Sequence, residues 1–162
     1  EVLDGQGKAL TRFPRPAGNP SGADVVKLVT VALNETTLSG TASSLSGGSG
    51  IRLDSAGKTG TSDESRDSWY AGYTGEHLAV VWRGRDDNQP TRLTGASGAL
   101  KVWTALFRQL PSADLRLEFS DAIRWLPFDT GDGCQRIRFY PVLPPYQPDN
   151  TRSCMEALTV PR

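Results

Sequence analysis

The sequence is poor in the residues that most site chemistry relies on. Among 162 residues it has one histidine, two cysteines and one methionine. His77 with Cys134 and Cys154 cannot furnish a four-ligand zinc site, so no metal and no cofactor is expected. Neither sign of charge is in excess. Lys and Arg number 18, as do Asp and Glu, so no net field draws in nucleic acid or an anionic lipid surface. No apolar run approaches the ~18 residues needed to cross a bilayer, and no signal-peptide pattern is present. The chain starts at Glu1 and not at Met. It reads as a piece of a longer polypeptide, and the missing targeting segment leaves the parent's location open.

What is present suits one domain with an appendage. Four Trp, five Phe and four Tyr allow a modest core, while 11 Pro and 17 Gly imply many turns. In "EVLDGQGKALTRF", Asp4-Gly5 sits between two apolar stretches, a β-hairpin pattern. In "SGADVVKLVTVALNETTL", Ser21 and Asp24 have capping-box spacing, with Asp in place of Glu. Val25, Leu28, Val29, Ala32 and Leu33 then share one helical face. The β-branched residues favour strand, but the length of this stretch favours helix. "GTASSLSGGSG", 40–50, reads as small, flexible and exposed.

From Ile51, "KTGTS", "DSWYAGY" and "HLAVVWRG" form three short segments with polar turns between them, an antiparallel meander. "HLAVVW" is nearly continuous in apolar residues, so a helix is expected on each face of the sheet. In "GALKVWTALFRQL", Leu100, Trp103, Leu106, Phe107 and Leu110 recur at helical spacing before Pro111. The fold class is α+β, an antiparallel sheet flanked by helices. Residues 1–110 form the main unit and 111–162 an extension, with a short amphipathic piece at "SDAIRWL". Cys134 and Cys154 lie in this Pro- and Gly-rich tail. They read as a Cys134–Cys154 disulfide, the alternative being two free thiols of a cytosolic protein. The disulfide would close a loop of about 20 residues and contribute roughly 3 kcal/mol to a tail without its own core.

"SAGKTGTS", 55–62, allows two incompatible readings. A phosphate-binding loop needs a glycine five residues before Gly57, where Arg52 stands, and a helix after Thr59, where the pattern is strand-like. That reading fails twice. The other is the Lys-Thr-Gly element of serine acyltransferases, carried on a strand beside the nucleophile. A strand alternates its side chains, so Lys58 and Gly60 face one way and Thr59 and Thr61 the other, unless the strand twists. Lys58 suits an anionic group, the threonine hydroxyls can donate to a carboxylate, and Gly60 permits close approach. A main-chain N–H here can form half of an oxyanion hole. Taken alone, Lys-Thr-Gly is equally an edge strand with a surface lysine.

The surroundings decide between these. "AGKTGTSDESRDSWYAGY" followed by "AVVWRGRDDNQPTRLTGASGA" resembles the C-terminal half of the transpeptidase domain of class A, bifunctional penicillin-binding proteins. The resemblance runs from about Glu1 to Leu110. "CQRIRFYPVLPPYQPDNTRSC" resembles the cysteine-bracketed extension of the Gram-negative 1b branch of that family. It implies a partial β-lactamase/transpeptidase-like fold, no cofactor, and a catalytic Ser-x-x-Lys and Ser-x-Asn pair. The chain has no Ser-x-Asn. Its single Ser-x-x-Lys, Ser55 to Lys58, overlaps the Lys-Thr-Gly lysine and leads into a strand, and one lysine cannot fill both roles. The nucleophile is therefore expected upstream, on a segment outside this chain, which alone should be inactive.

The resemblance further implies D,D-transpeptidation of peptidoglycan stem peptides and acylation by β-lactams, at the periplasmic face of the inner membrane. Lys58 and Thr61 would be catalytic. Lys58, Thr59, Gly60, Thr61 and Ser62 would line the substrate and β-lactam site, with the Thr61 N–H in the oxyanion hole. An outer-membrane lipoprotein activator and a glycosyltransferase region would belong to the whole protein. The rival class is a non-catalytic, transpeptidase-like module that binds an activator. Of the remaining residues, Asp67 and Trp69 read as packing and pairing residues that also suit a buttress for the Lys-Thr-Gly strand. Arg85, Asp86, Asp87 and Asn88 read as a solvated turn, and His77 as a surface residue. Trp125, Phe128, Phe139, Tyr140 and Tyr146 would pack the tail back on the main unit or form a docking face.

Overall fold

Asp4 makes the first turn for a local reason. Its Oδ1 accepts from the N–H groups of Gln6 and Lys8, both at 2.9 Å, and Gly7 takes a φ of 82°. Val2–Leu3 (β1) and Ala9–Thr11 (β2) consequently pair antiparallel, the hairpin the sequence predicts. The structure is a computed structural model and describes residues 1–14, 22–47, 50–129 and 137–145.

Ala23–Leu38 form α1. The expected capping box is not what starts it. The N-cap is Gly22, without a side-chain cap, and Ser21 lies outside the described residues. Asp24 instead accepts from Lys27 at 3.4 Å and from Ser120 Oγ at 2.6 Å. The Ser120 hydrogen bond holds its carboxyl below the usual carboxylate range.

The apolar face predicted for α1 is also not the buried one. Val25 and Val29 are 50% and 53% exposed, whereas Thr30 and Thr37 are buried. The cause is what the helix packs against. It runs along the rim of a strand, whose unpaired carbonyls require hydroxyl and amide donors more than methyl groups.

That strand is Ala56–Thr61 (β3), which pairs antiparallel with Ser68–Tyr73 (β4), which pairs with Leu78–Arg83 (β5). The sheet order is β3-β4-β5, with Lys58↔Ala71↔Val80 and Gly60↔Trp69↔Trp82 in register. Ala99–Phe107 (α2) covers one face. Trp103, fully buried, stacks on Phe107 at 3.9 Å and meets Tyr70 edge-on at 5.3 Å. Ala42 and Leu45 join this core, so the 40–50 segment is not simply exposed. A 3₁₀ turn, Ser43–Leu45, turns its one large apolar side chain inward.

Tyr70 carries a consequence for pH. Its ring is buried and its Oη has no hydrogen-bond partner, and burial pushes its ionisation above the usual tyrosine range. In the unfolded chain tyrosine ionises near ~10. Stability is therefore intact below about pH 10 and declines as pH rises beyond it, because only the unfolded chain gains the phenolate. Tyr70→Phe is expected to leave stability at pH 7 unchanged or slightly raised, since no partner is lost, and to flatten the alkaline decline. Urea midpoints for both proteins between pH 8 and 11.5 check this. Parallel curves would rule the effect out.

The tail forms a second hairpin, Arg124–Asp129 (β6) with Ile137–Val142 (β7). The helical piece expected at "SDAIRWL" is instead a turn running into β6. Pro127 cannot continue a helix, and the aromatics find cross-strand partners such as Phe128–Tyr140 at 5.6 Å. Arg138 pairs with Glu35, which ties this hairpin to α1. Cys134, Cys154 and Tyr146 lie outside the described residues. Among the described residues, no helix is long and apolar enough to cross a membrane.

Candidate functional site

The rim of β3 is where the local chemistry concentrates. Its carbonyls alternate, and those of Ser55, Gly57 and Thr59 point away from β4. Ser55 O accepts from Asn34 Nδ2 at 2.7 Å and Thr37 Oγ1 at 3.1 Å, and Gly57 O from Thr36 Oγ1 at 2.5 Å. Past Gly57, α1 supplies no further donor. Thr59 O accepts instead from the Lys58 ammonium at 2.9 Å. In an antiparallel ladder the N–H and C=O of one residue point to the same side. Gly57 O and Thr59 O take their bonds outside the sheet and the Ser62 N–H turns in to Asp67 O at 3.1 Å, so by alternation the N–H groups of Thr59 and Thr61 face the open rim.

The side chains divide as alternation requires. Lys58 is exposed and shares its face with Gly60, Trp69, Ala71, Val80 and Trp82. Thr59 and Thr61 take the other face. The Thr59 hydroxyl lies 2.7 Å from that of Thr41, and Thr61 Oγ1 accepts the N–H of Gly95 at 2.9 Å. Because Thr61 accepts there, its own proton remains free to be donated. Ser62 turns back on Asp67, donating to Oδ2 at 2.9 Å and accepting from the Asp67 N–H at 2.8 Å. Hollows of ≈ 390 and ≈ 420 Å³ lie at residues 50–53 with 107–112 and on the outer side of α2, and no residue of β3 lines either.

Asp67, which the sequence offers as a buttress for the strand, is bonded to Ser62 at its end, whereas Gly95 carried little signal in the sequence. Asp67 also accepts from Trp82 Nε1 at 2.9 Å, so it joins three separate segments. Gly95 reaches the strand from a loop 35 residues further along the chain than Gly60 (95 − 60). Only a glycine among threonines and serines marked it. His77 is half-buried, not a plain surface residue, with Nδ1 3.0 Å from Ser112 Oγ. The 85–88 turn is solvated as expected, and the Arg85 guanidinium holds the Asp87 carboxyl down at about 2.

The sheet face that carries Lys58 is uncovered towards β5. Leu78, Val80, Trp82 and Trp69 are 71%, 56%, 46% and 45% exposed. The expectation of a helix over each face holds for α2 alone. Among the described residues nothing covers this second face at β5, and Val25, Val26 and Val29 of α1 are exposed as well.

An antiparallel sheet with one helix at its back and a Lys-Thr-Gly-Thr rim strand is the construction of the penicillin-recognising class, and comparison with known proteins agrees. A solved structure of penicillin-binding protein 1A from Haemophilus influenzae superposes with a TM-score of 0.63 at 24% identity, covering 79% of this chain and 21% of that one. Penicillin-binding protein 1B of Haemophilus influenzae is 34% identical over 143 residues, 87% of this chain and 18% of the relative. The 1B protein of Vibrio cholerae is 47% identical over 73 residues, 45% of this chain and 9% of the relative. No family model matches. The chain belongs to the class A penicillin-binding proteins and represents their C-terminal transpeptidase region. It spans less than a fifth of the length of the two 1B relatives.

Proposed function

We propose that this chain is one wall of a peptidoglycan D,D-transpeptidase site, completed by a serine-bearing segment upstream of it. The carrying observation is the β3 rim, where the Lys58 ammonium and the outward Thr59 and Thr61 N–H groups stand beside an uncovered apolar face. A sheet does not stably leave two Trp, a Leu and a Val of one face in water. The upstream segment covers that face and brings its Ser and Ser-x-Asn groups to Lys58.

In this reading the serine Oγ attacks the carbonyl carbon of the D-Ala-D-Ala peptide bond. Charge develops on the carbonyl oxygen, where the Thr61 N–H stabilises it. The C–N bond breaks and D-Ala leaves with a proton. An amine from a second stem peptide then attacks the ester, forming the cross-link and releasing the serine. Lys58 supplies positive potential for the carboxylate of the substrate and handles protons with the serine of the Ser-x-Asn group. Along the open rim, the Thr59 and Thr61 hydroxyls donate to that carboxylate, and Gly60 leaves room for the backbone of the donor. Ser62, held by Asp67, closes the end of this wall. A β-lactam enters as an acyl donor whose leaving group stays tethered. The site belongs at the periplasmic face of the inner membrane, with any anchor, glycosyltransferase region and lipoprotein activator outside these residues.

Fluorescent penicillin tests this reading. The polypeptide that includes the upstream segment is expected to label covalently, and this chain alone is not. Absence of labelling in the longer protein would sink it. The exposed Trp125 and Phe139 of the tail hairpin, at 51% and 54%, favour the second reading, a non-catalytic module docking an activator. That reading would then stand, and Trp125→Ala with Phe139→Ala is expected to abolish the docking.

A further inference from the structure

We propose that Gly95 is a positioning residue for the Thr61 amide and that Asp67 clasps the loop that carries it. The inference rests on the acyl-transfer reading above. Gly95 sits against the face of β3 and β4 opposite Lys58, directly on the Gly60–Trp69 pair. A Cβ at this position would come within 2.7 Å of Trp69 O and 2.8 Å of both Gly60 N and Gly60 O. All three contacts are backbone, so the strand itself would have to shift. Gly95 also donates its N–H to Thr61 Oγ1 at 2.9 Å. The peptide whose N–H is aimed at the open rim thus rests on Gly95 on one side and is tethered to it on the next.

The loop is fixed on both flanks. The fully buried Ser68 donates to Thr94 O and accepts from Ala99 N–H, both at 2.8 Å. This pins the residues around Gly95 to β4. Further back, Ser65 O accepts from Thr91 N at 2.9 Å and Thr91 Oγ1 at 2.7 Å, and Arg66 Nη1 donates to Asn88 O at 2.8 Å. The turn that receives these bonds includes Glu64 and Ser65 at φ 57° and 55°. Asp67 holds it closed by accepting from Ser62 Oγ and Trp82 Nε1. Gly84 lies where a Cβ would meet the Trp82 ring at 2.2 Å and Asp67 Oδ1 at 3.0 Å, so the clasp is closely packed. Residues 91–98 therefore form a splint behind the strand, packed on Gly60, bonded to Thr61 and pinned to the turn and strand that follow it.

An oxyanion donor works only within a few tenths of an ångström of its place. Gly95 lies behind the strand, away from the rim a substrate would use. Gly95→Ala keeps the N–H that holds the Thr61 hydroxyl and displaces the Gly60–Thr61 peptide, so it is expected to slow the chemical step far more than it weakens non-covalent binding. The experiment uses the full-length polypeptide and measures the acylation rate constant, the dissociation constant of the non-covalent penicillin complex, and the fraction of protein that labels. For Gly95→Ala the rate constant is expected to fall by about 10²-fold, with the dissociation constant within about threefold and the labelled fraction near that of the parent. A merely structural role would instead lower the labelled fraction and leave the rate of the remainder intact. That outcome, or an unchanged rate constant, overturns the proposal.

Should Gly95→Ala not fold, Trp82→Phe decides. It removes one donor to Asp67 and keeps a smaller aromatic ring in its place, and about a tenfold fall in the same rate constant is expected. An unchanged rate there overturns the clasp. If the parent polypeptide itself fails to label, the acyl-transfer reading falls and this inference with it. If the parent labels and both variants match it, only this inference falls.

Discussion

Lys58→Ala in the full-length polypeptide is expected to slow acylation by penicillin by about 10²–10³-fold, the loss typical of removing one well-placed electrostatic group. The ammonium stands on an exposed strand face, and among the described residues its hydrogen-bond partner is Thr59 O at 2.9 Å, a backbone carbonyl on its own strand. Nothing in the fold depends on it, so thermal stability should change little. Lys58→Arg keeps the charge but replaces a compact ammonium with a planar fork, and it should recover only part of the rate. Gel-based labelling time courses separate these outcomes. Rates within threefold of the parent for Lys58→Ala would return the residue to the status of a surface lysine on an edge strand.

Trp103→Ala is expected to destabilise the fold by about 3–5 kcal/mol. The side chain is fully buried, stacked on Phe107 at 3.9 Å and edge-on to Tyr70 at 5.3 Å. It joins α2 to the sheet at the centre of the one continuous core among the described residues. Its Nε1 has no hydrogen-bond partner, so none of the expected loss is a hydrogen bond. It is packing and apolar area. A loss of this size is a large part of the ~5–15 kcal/mol typical of a whole domain. Urea unfolding of the parent and the variant measures it. A difference below about 1 kcal/mol would mean that the core collapses around the gap.

How far the residues announced this arrangement differs between elements. The β1–β2 hairpin was legible because Asp4 makes its turn with its own side chain. The meander was legible because short apolar runs between polar turns have few alternatives. α2 was legible because Leu100, Trp103 and Phe107 sit at helical spacing and do enter the core. α1 was legible as a helix but not in its orientation. Periodicity counts methyl groups, and the neighbour it meets is a row of carbonyls that binds Asn34, Thr36 and Thr37. β6 was misread because a short amphipathic string does not reveal the partner strand that makes it β. Of the site, Lys58, Thr59, Gly60, Thr61 and Ser62 are contiguous and could be read directly. Asp67 could be read only as a pairing residue suited to buttressing the strand, and Gly95 not at all, because its meaning lies in contacts with a strand 35 positions away (95 − 60).

By itself the order of residues determined the chemistry available on β3: an ammonium, two hydroxyls, a glycine and the alternation that separates them, all set by neighbours along one strand. It also holds no Ser-x-Asn and no Ser-x-x-Lys other than the one that ends on Lys58. Only the tertiary structure decided which rim of β3 is open, which face of the sheet lacks a cover and what supports the Thr61 amide from behind. Those are matters of which surfaces meet, and hydrogen bonds and apolar contacts between distant segments leave no period or spacing for a sequence to display.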